Sequence, residues 1–346
     1  MHNKTNSIFN FTPILLIAGV IIINSCTRVR IIDLSIAQKE NIVNVDELTI
    51  NSIQKVGGMY FINYYGDYED RLNWLDNYHT NESANKTFKS QCSLFAAFTK
   101  NGIPILGRNF DRNSEIPVLT RFSAPGKYAS FAFSPASEVN LFEVVNHQNP
   151  SEEQRNKLLF CLPYYSTDGI NEKGLSIAIA GAPPRQINSI DTTNRIFVLH
   201  FIRKVLDNCK NVEEVAQFAK TVIPFDSDFN IISHHFVSVD ANGKWLVIDY
   251  PDGKLHLSLG QDTPQVRTNH FLDGGPAIQD NSFARYDKIY SVLNSSETLE
   301  SEIDAMNILK QVRNSTKWSV VYESNKCSGI VAINENYKTV YRFGLN

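Results

Sequence analysis

The chain has 346 residues, of which 42% are hydrophobic and 20% are charged, and its formal net charge at pH 7 is -3. Because positive and negative charges nearly balance, the composition gives no excess of positive charge that would bind nucleic acid, and we expect no nucleic-acid partner. No internal repeat or low-complexity tract divides the sequence, so we expect one core.

The first 25 residues have the pattern of a sorting signal. His2 and Lys4 give a weakly basic start, and the apolar run at 14–23 is too short to span a bilayer comfortably as a helix. The run ends in Ile-Asn-Ser-Cys, which resembles a bacterial lipobox with Cys26 as the lipidated residue. We therefore expect a signal peptide at 1–25 and an exported lipoprotein, held on a bacterial membrane at its periplasmic or cell-surface face. An ordinary cleaved signal peptide and a poor membrane anchor are the alternatives.

The next stretch, 26–91, is predicted to form an N-terminal segment with two helices and a loop. The helices are expected around 48–56 and 68–75. Residues 76–91 are rich in Asn, Ser, Thr and Lys and almost lack apolar side chains, which predicts an exposed loop.

The polarity changes abruptly at Cys92, where the sequence Cys-Ser-Leu-Phe-Ala-Ala-Phe predicts a strand that leads into a hairpin turn at 100–102. Further strands are predicted at 103–106, 174–180, 235–239, 245–249, 318–322, 329–333 and 339–343, and helices at 195–206, 212–222, 283–293 and 299–312. Antiparallel strand pairs with helices between the groups predict an α+β layered fold.

Cys92 is followed by a Gly-Arg-Asn-Phe-Asp motif at 107–111. This arrangement resembles the start of the mature catalytic chain in the choloylglycine hydrolase and linear-amide hydrolase family, which includes bile-salt hydrolases, penicillin V acylases and, more distantly, acid ceramidase and the penicillin-forming acyltransferases. Segments 168–175, 268–269, 282–286 and 317–322 also resemble family segments, so the likeness runs from Cys92 to the C-terminus. It implies a four-layered αββα N-terminal-nucleophile hydrolase domain at 92–346.

The resemblance also implies self-cleavage between Gln91 and Cys92, which would make 26–91 a separate subunit. The α-amino group released on Cys92, with an ordinary pKa of roughly 7.7 to 8.0, would accept the thiol proton without a histidine. Asp111 would hold this amine, and the permanent charge of Arg108 would favour the thiolate. By resemblance, Asn269 donates to the oxyanion and Arg285 supports the cluster.

The chain departs from its relatives at the second oxyanion donor. Relatives have Asn or Tyr shortly after the Gly-Leu strand, whereas this chain has Ile-Ala-Gly-Ala-Pro-Pro at 179–184, without a side-chain donor. A backbone N–H near Gly181 or Ala182, or the hydroxyl of Tyr164 or Tyr165, would have to serve, and the sequence leaves both open. The same departure weakens the case for bile-salt specificity.

The function expected from these residues is hydrolysis of a non-peptide C–N bond in a small linear amide, through a thioester on Cys92. Acyl transfer to an amine and a surface lipoprotein that binds a ligand without turnover are the alternatives. A papain-like peptidase would instead depend on His234, His235 or His270. We expect His234 and His235 to be structural, one in the core and one facing solvent, because they are adjacent in a strand.

The remaining cysteines do not indicate a disulfide framework. If Cys26 carries lipid and Cys92 is catalytic, three cysteines are left, an odd number in an exported protein. The sequence contains no HExxH, paired CxxC or Gly-rich phosphate loop, so we expect neither a metal nor a nucleotide cofactor. Homo-oligomer formation is left open.

Overall fold

The computed structural model describes residues 27–32, 44–81, 91–187, 194–226, 228, 230–261, 263–273, 275–278, 281–295 and 299–345. The expected signal peptide at 1–25, the expected lipid site at Cys26 and residues 82–90 of the expected loop lie outside these ranges. Among the helices that are described, none combines the length and the apolar character needed to cross a membrane.

Two large sheets form the centre of the molecule, and the first has seven strands. In spatial order these are β1 (Arg28–Ile31), β18 (Thr339–Gly344), β17 (Ser328–Ile333), β16 (Thr316–Glu323), β5 (Pro104–Asp111), β4 (Gln91–Phe98) and β15 (Gln265–Arg267). All neighbours are antiparallel except β1 and β18.

The second sheet has nine strands. In spatial order these are β14 (His256–Gln261), β13 (Lys244–Asp249), β12 (Ile231–Val239), β9 (Ser176–Gln186), β8 (Asp168–Asn171), β7 (Ser130–Pro135), β6 (Pro117–Ser123), β3 (Met59–Tyr65) and β2 (Gln54–Val56). Strands β10 (Arg195–Phe197) and β11 (Ile223–Phe225) form a separate parallel pair.

Helices cover the outer faces of both sheets. In chain order they are α1 (Val45–Asn51), α2 (Glu69–Asn81), α3 (Leu141–Val145), α4 (Glu152–Tyr164), α5 (Val198–Asn208), α6 (Val212–Ala219), α7 (Ser282–Leu293) and α8 (Glu302–Gln311), and a short 3-10 helix spans Ser324–Lys326. Helix α5 packs on β8 and β9, whereas α7 and α8 pack on β4, β5, β15 and β16. The two sheets pack on each other through β4 and β9, so the order of layers is helix, sheet, sheet, helix. This confirms the predicted α+β, four-layered αββα fold.

Alternation along β4 decides which residues reach the space between the sheets. Cys92, Leu94 and Ala96 belong to the main core, whereas Phe95 and Ala97 belong to a second cluster under α7 and α8. Because side chains alternate across a strand, the Cys92 thiol faces the other sheet and Ser93 faces α7. The predicted hairpin after β4 is present, and Gly102 at φ +74° makes its turn.

The prediction for the N-terminal segment was partly wrong. Helix α1 is shorter than predicted, because Gly57 and Gly58 adopt positive φ angles and turn the chain into the β2–β3 hairpin. Helix α2 continues through 76–81, which the composition had suggested was loop, and Gln91 already belongs to β4. The helix predicted at 195–206 also starts later than expected, because 195–197 forms strand β10.

The N-terminal segment shares the core of the rest of the chain. Its strands β2 and β3 complete the nine-stranded sheet, with β3 parallel to β6.

Candidate active site

Cys92 is the second residue of β4 and is fully buried in the continuous chain. Its Cα is paired with that of Phe110 on β5, and Gln91 is paired with Asp111. The strand ladder therefore places the peptide bond between Gln91 and Cys92 directly beside the end of the Gly-Arg-Asn-Phe-Asp motif.

Arg108 lies on the same face of the sheet as the thiol. Its Nη2 is 3.5 Å from the Cys92 Sγ, and its Nη1 contacts Thr167 Oγ1 at 3.0 Å and forms an ion pair with Asp168. The guanidinium also lies 4.8 Å from the centre of the Phe110 ring. Because Asp168 compensates the charge, Arg108 reaches the thiol as a fixed hydrogen-bond donor within a buried pair, not as an isolated cation.

Asp111 faces the opposite side of the strand from Arg108. Its Oδ1 accepts a hydrogen bond of 2.5 Å from Thr316 Oγ1, and its Oδ2 is 3.6 Å from Arg285 Nη1. Burial raises the pKa of Asp111 to about 7, although the Thr316 hydrogen bond and the two arginines lower it. In the uncut chain, burial therefore favours the neutral form of this carboxyl group more than water does.

Arg285, on the first turn of α7, holds the backbone around Cys92. Its Nη1 donates to the Cys92 carbonyl at 2.9 Å and to Ser93 Oγ at 2.7 Å, and its Nη2 donates to Asn269 Oδ1 at 2.6 Å. Burial lowers the pKa of Arg285, and Asp111 opposes this shift. One planar guanidinium thus fixes three groups at the start of β4 relative to one another.

Asn269 lies in the loop after β15 and is fully buried. Its Oδ1 accepts the backbone N–H of Cys92 at 3.3 Å, and its Nδ2 donates to the Gly181 carbonyl at 2.8 Å. An amide NH2 carries two hydrogens, so one N–H is used by Gly181 and the second can serve another acceptor. The structure brings Cys92, Arg108, Asp111, Asn269 and Arg285 together around the first residues of β4.

The three tentative substrate-binding residues have different surroundings. Gly181 takes part through its carbonyl, as an acceptor for Asn269, whereas the sequence had suggested a donor N–H at Gly181 or Ala182. Ala182 follows in β9 and is buried. Tyr165 packs edge-on against Tyr164 and Phe197, with ring centres 5.3 and 5.9 Å apart.

The expectation that one of two adjacent histidines faces solvent was wrong. His234 and His235 are both buried, because β12 is a central strand whose sheet is covered on one face by the other sheet and on the opposite face by helices. His234 Nδ1 is 3.3 Å from Asp226 Oδ2, and His235 Nδ1 is 3.3 Å from Asp249 Oδ1. Neither of these two contacts involves Cys92.

The other cysteines are ordinary buried or half-buried thiols. Among the described cysteines Cys92, Cys161, Cys209 and Cys327, none forms a disulfide. Burial raises the pKa of Cys161 and of Cys209 to about 12, so both are protonated and unreactive near neutrality. Within the described ranges, no three His, Cys, Asp or Glu side chains are grouped to hold a metal ion.

Sequence reasoning missed three residues that complete the site. Asp168 and Thr316 are the direct partners of Arg108 and Asp111, and Ser93 is a partner of Arg285. Asp168 and Ser93 lie within segments that carried the family resemblance, but a resemblance does not identify side-chain partners. Thr316 is the first residue of β16 and is brought to Asp111 only by the β5–β16 pairing.

Part of the chain is similar to a known protein family. Residues 162–330 match the family model described as acyl-coenzyme A:6-aminopenicillanic acid acyl-transferase, a span that includes Asn269 and Arg285 but not Cys92. No curated protein sequence matches the chain.

Two solved structures share the fold. A mutant conjugated bile acid hydrolase from Clostridium perfringens aligns with a TM-score of 0.51 and 17% identity, over 74% of this chain and 93% of that one. Penicillin V acylase from Agrobacterium tumefaciens aligns with a TM-score of 0.52 and 16% identity, over 73% of this chain and 86% of that one. At such identities the likeness concerns the fold.

Proposed function

We propose that this chain is an N-terminal-nucleophile hydrolase that cleaves a non-peptide carbon–nitrogen bond in a small linear amide, with Cys92 as the nucleophile. The match of residues 162–330 to an acyl-transferase family model and the fold shared with a bile acid hydrolase and a penicillin V acylase support this proposal. This proposal rests on one observation, which is that three polar side chains contact Cys92. Arg108 contacts the Cys92 thiol, while Arg285 and Asn269 hold the Cys92 carbonyl and N–H. A buried cysteine with a purely structural role has no need of three polar side chains arranged in this way.

The first step is self-cleavage between Gln91 and Cys92. The Cys92 Sγ attacks the Gln91 carbonyl carbon, the Gln91–Cys92 C–N bond breaks, and the thiol proton ends on the released amine. Water then hydrolyses the thioester, which leaves a carboxylate on Gln91 and a thiol with a free α-amine on Cys92. The contacts of Asn269 and Arg285 support this step, because they fix the N–H and carbonyl of the residue whose side chain attacks.

In the processed enzyme, the α-amine of Cys92 acts as general base for its own thiol. The thiolate attacks the substrate carbonyl, the amine leaves with the transferred proton, and water resolves the acyl thioester to regenerate the thiol. The second N–H of Asn269 donates to the oxyanion, a contribution of about 3 kcal/mol by comparison with other side-chain donors. Asp111 lies beside Gln91 in the ladder, so a cationic amine released there would lower its pKa and restore the carboxylate.

Cleavage is also proposed to open the site. The Cys92 side chain is 0% exposed in the continuous chain, so substrate reaches it only if the residues before it move away. A new chain end at Gln91 is released from its covalent link to Cys92. Among the side chains that the structure describes, Asn314 contacts that of Gln91, with its Nδ2 3.4 Å from Gln91 Oε1.

A panel of N-acyl-7-amino-4-methylcoumarin amides, with acyl groups from acetyl through phenylacetyl to palmitoyl, tests the proposed reaction. The processed enzyme should release the fluorescent amine from at least one of them, and the enzyme should be inactivated by iodoacetamide with one carboxamidomethyl group on Cys92. Fluorescence release that survives complete alkylation of Cys92 would contradict the assignment of the nucleophile.

Acyl transfer is the second candidate, and the name of the matching family model favours it. In transfer, an amine rather than water attacks the acyl thioester. Adding hydroxylamine or glycine to the same assay distinguishes the two reactions, because a transferase forms the N-acyl product at the expense of the free acid. A ligand-binding lipoprotein without turnover would give neither product.

We also propose that the protein is an exported lipoprotein whose lipid is attached to Cys26. The proposal rests on the sequence pattern alone. Metabolic labelling with an alkyne-tagged palmitate would label the wild type and leave the Cys26→Ser variant unlabelled, and equal labelling of both would contradict it.

A further inference from the structure

The loop that carries Asn269 is fixed by hydrogen bonds that come from outside the loop. Ser282 Oγ accepts the backbone N–H of Asn269 at 2.7 Å and lies 2.8 Å from His270 Nδ1. On the other side, His235 Nε2 lies 2.7 Å from the carbonyl oxygen of Thr268. Because a carbonyl only accepts, this Nε2 carries the proton and donates.

His235 is itself held by charged residues of neighbouring strands. Its Nδ1 is 3.3 Å from Asp249 Oδ1 on β13. Arg267, on β15, donates from Nε and Nη2 to Asp249 Oδ2 at 3.1 and 3.0 Å. The pKa of Asp249 is lowered to about 2 by His235 and Arg267, against the effect of burial, so this carboxylate is charged at any pH relevant to the fold.

We propose that His235 is a positioning residue that holds the Thr268–Asn269 peptide so that the Asn269 side chain is aimed at the reacting carbonyl. The inference rests on the proposed function. Its basis is a continuous line of contacts: Arg267 binds Asp249, Asp249 flanks His235, and His235 donates to the carbonyl of the peptide unit whose next residue is Asn269. Since Arg267 directly precedes Thr268, the two ends of this network lie at neighbouring residues of the chain.

The geometry assigns His235 to positioning rather than to proton transfer. Its donating nitrogen is engaged by a backbone carbonyl, and its other nitrogen faces a carboxylate. A general base for the Cys92 thiol must lie within hydrogen-bond reach of that thiol, whereas both ring nitrogens of His235 are directed at other groups. In metal sites, removing a hydrogen-bond partner behind a ligand typically lowers activity by about 10–100-fold, and we expect an effect of this size for the partner behind Asn269.

A matched pair of substitutions tests the inference. In His235→Gln the side-chain Nε2 can still donate to the Thr268 carbonyl, whereas in His235→Asn the amide is too short and can reach only toward Asp249. Both are polar and uncharged. We expect His235→Gln to keep kcat for the coumarin amides within about threefold of the wild type, and His235→Asn to lose about 10–100-fold in kcat with KM nearly unchanged.

The assay is normalised to the processed fraction measured by intact mass, and the midpoint of thermal unfolding is recorded for each variant. His234→Gln is the control, because His234 is equally buried on the same strand but faces its opposite side and pairs with Asp226. It should keep kcat. Because Asn269 Oδ1 also accepts the Cys92 N–H, slower self-cleavage in His235→Asn but not in His235→Gln would support the inference as well.

Two results separate the inference from the function on which it rests. If the wild type hydrolyses the amides and His235→Asn matches it in both kcat and cleavage, the positioning role is wrong and the proposed function stands. If the wild type is cut at Gln91–Cys92 but hydrolyses no amide in the panel, even with added amine, the proposed function fails first. A loss of kcat in His235→Gln as large as in His235→Asn would also overturn the inference.

Discussion

Arg108 and Asp168 form an ion pair in which both side chains are fully buried, and the same guanidinium reaches the Cys92 sulfur. Tyr322 also donates to Asp168, at 2.5 Å from its Oδ1. The pair joins β5 of one sheet to β8 of the other at the level of the nucleophile. It therefore stabilises the packing of the sheets and fixes the direction of the donor that faces the thiol.

Removing Asp168 should be costly for stability. Asp168→Ala leaves a buried arginine without its carboxylate, and we expect the free energy of unfolding to fall by about 3–5 kcal/mol. Urea unfolding followed by tryptophan fluorescence measures it. Glu153→Ala is the control, because Glu153 pairs with Lys157 on the exposed side of α4 and should cause no measurable change. An equal loss in both variants would contradict the role given to the buried pair.

Asp111 should make the stability of the uncut chain depend on pH. Its folded pKa of about 7 lies above its ordinary value of 3.8, so the folded chain binds a proton more tightly than the unfolded chain does. The free energy of unfolding contributed by Asp111 is therefore fully present below pH 3.8 and is lost as pH rises through 7.

The Cys92→Ala background, which should stay uncut, allows this measurement. Between pH 4 and 7 its free energy of unfolding should fall more steeply than that of Cys92→Ala/Asp111→Asn, since Asn keeps an acceptor for Thr316 but does not titrate. Superimposable pH profiles of the two proteins would refute the raised pKa.

The planar guanidinium of Arg285, with its several N–H donors, should matter more for self-cleavage and turnover than its positive charge. Arg285→Lys keeps a cation but cannot contact the Cys92 carbonyl, Ser93 and Asn269 at once. We expect self-cleavage and kcat each to fall by about tenfold or more. Time courses of processing by gel and of fluorescence release measure the two effects. Arg313→Lys, at an exposed pair with Glu335, should leave both rates unchanged, and an unimpaired Arg285→Lys would contradict the proposed clamp.

The N-terminal segment should stay bound after cleavage. Tyr68 donates to buried Asp207 at 2.6 Å, Glu69 pairs with Lys127 and Lys204, and β3 lies within the nine-stranded sheet. Both fragments should therefore elute together in size-exclusion chromatography in buffer and separate only in denaturant. Elution of the small fragment alone in buffer would contradict this.

The sequence predicted the layered fold well because strands and turns leave a local pattern in the sequence, as in the hairpin after Cys92. Its errors lie where tertiary context decides. Gly57 and Gly58 make the turn of the β2–β3 hairpin, so 54–56 is a strand where a helix was predicted, and His234 and His235 are both buried because both faces of their sheet are covered. The family resemblance indicated Arg108, Asp111, Asn269 and Arg285, but not their partners. Thr316 reaches Asp111 only through the pairing of β5 with β16, and Asp168 reaches Arg108 only because the two sheets pack on each other.

Intact-mass spectrometry of the purified protein, beside its Cys92→Ala variant, tests the central claim most directly. The wild type should give two masses that correspond to cleavage between Gln91 and Cys92, and the variant should give one uncut mass. Activity on the amide panel should appear only in the sample that is cut. A wild type that hydrolyses amides as one uncut chain would contradict the account.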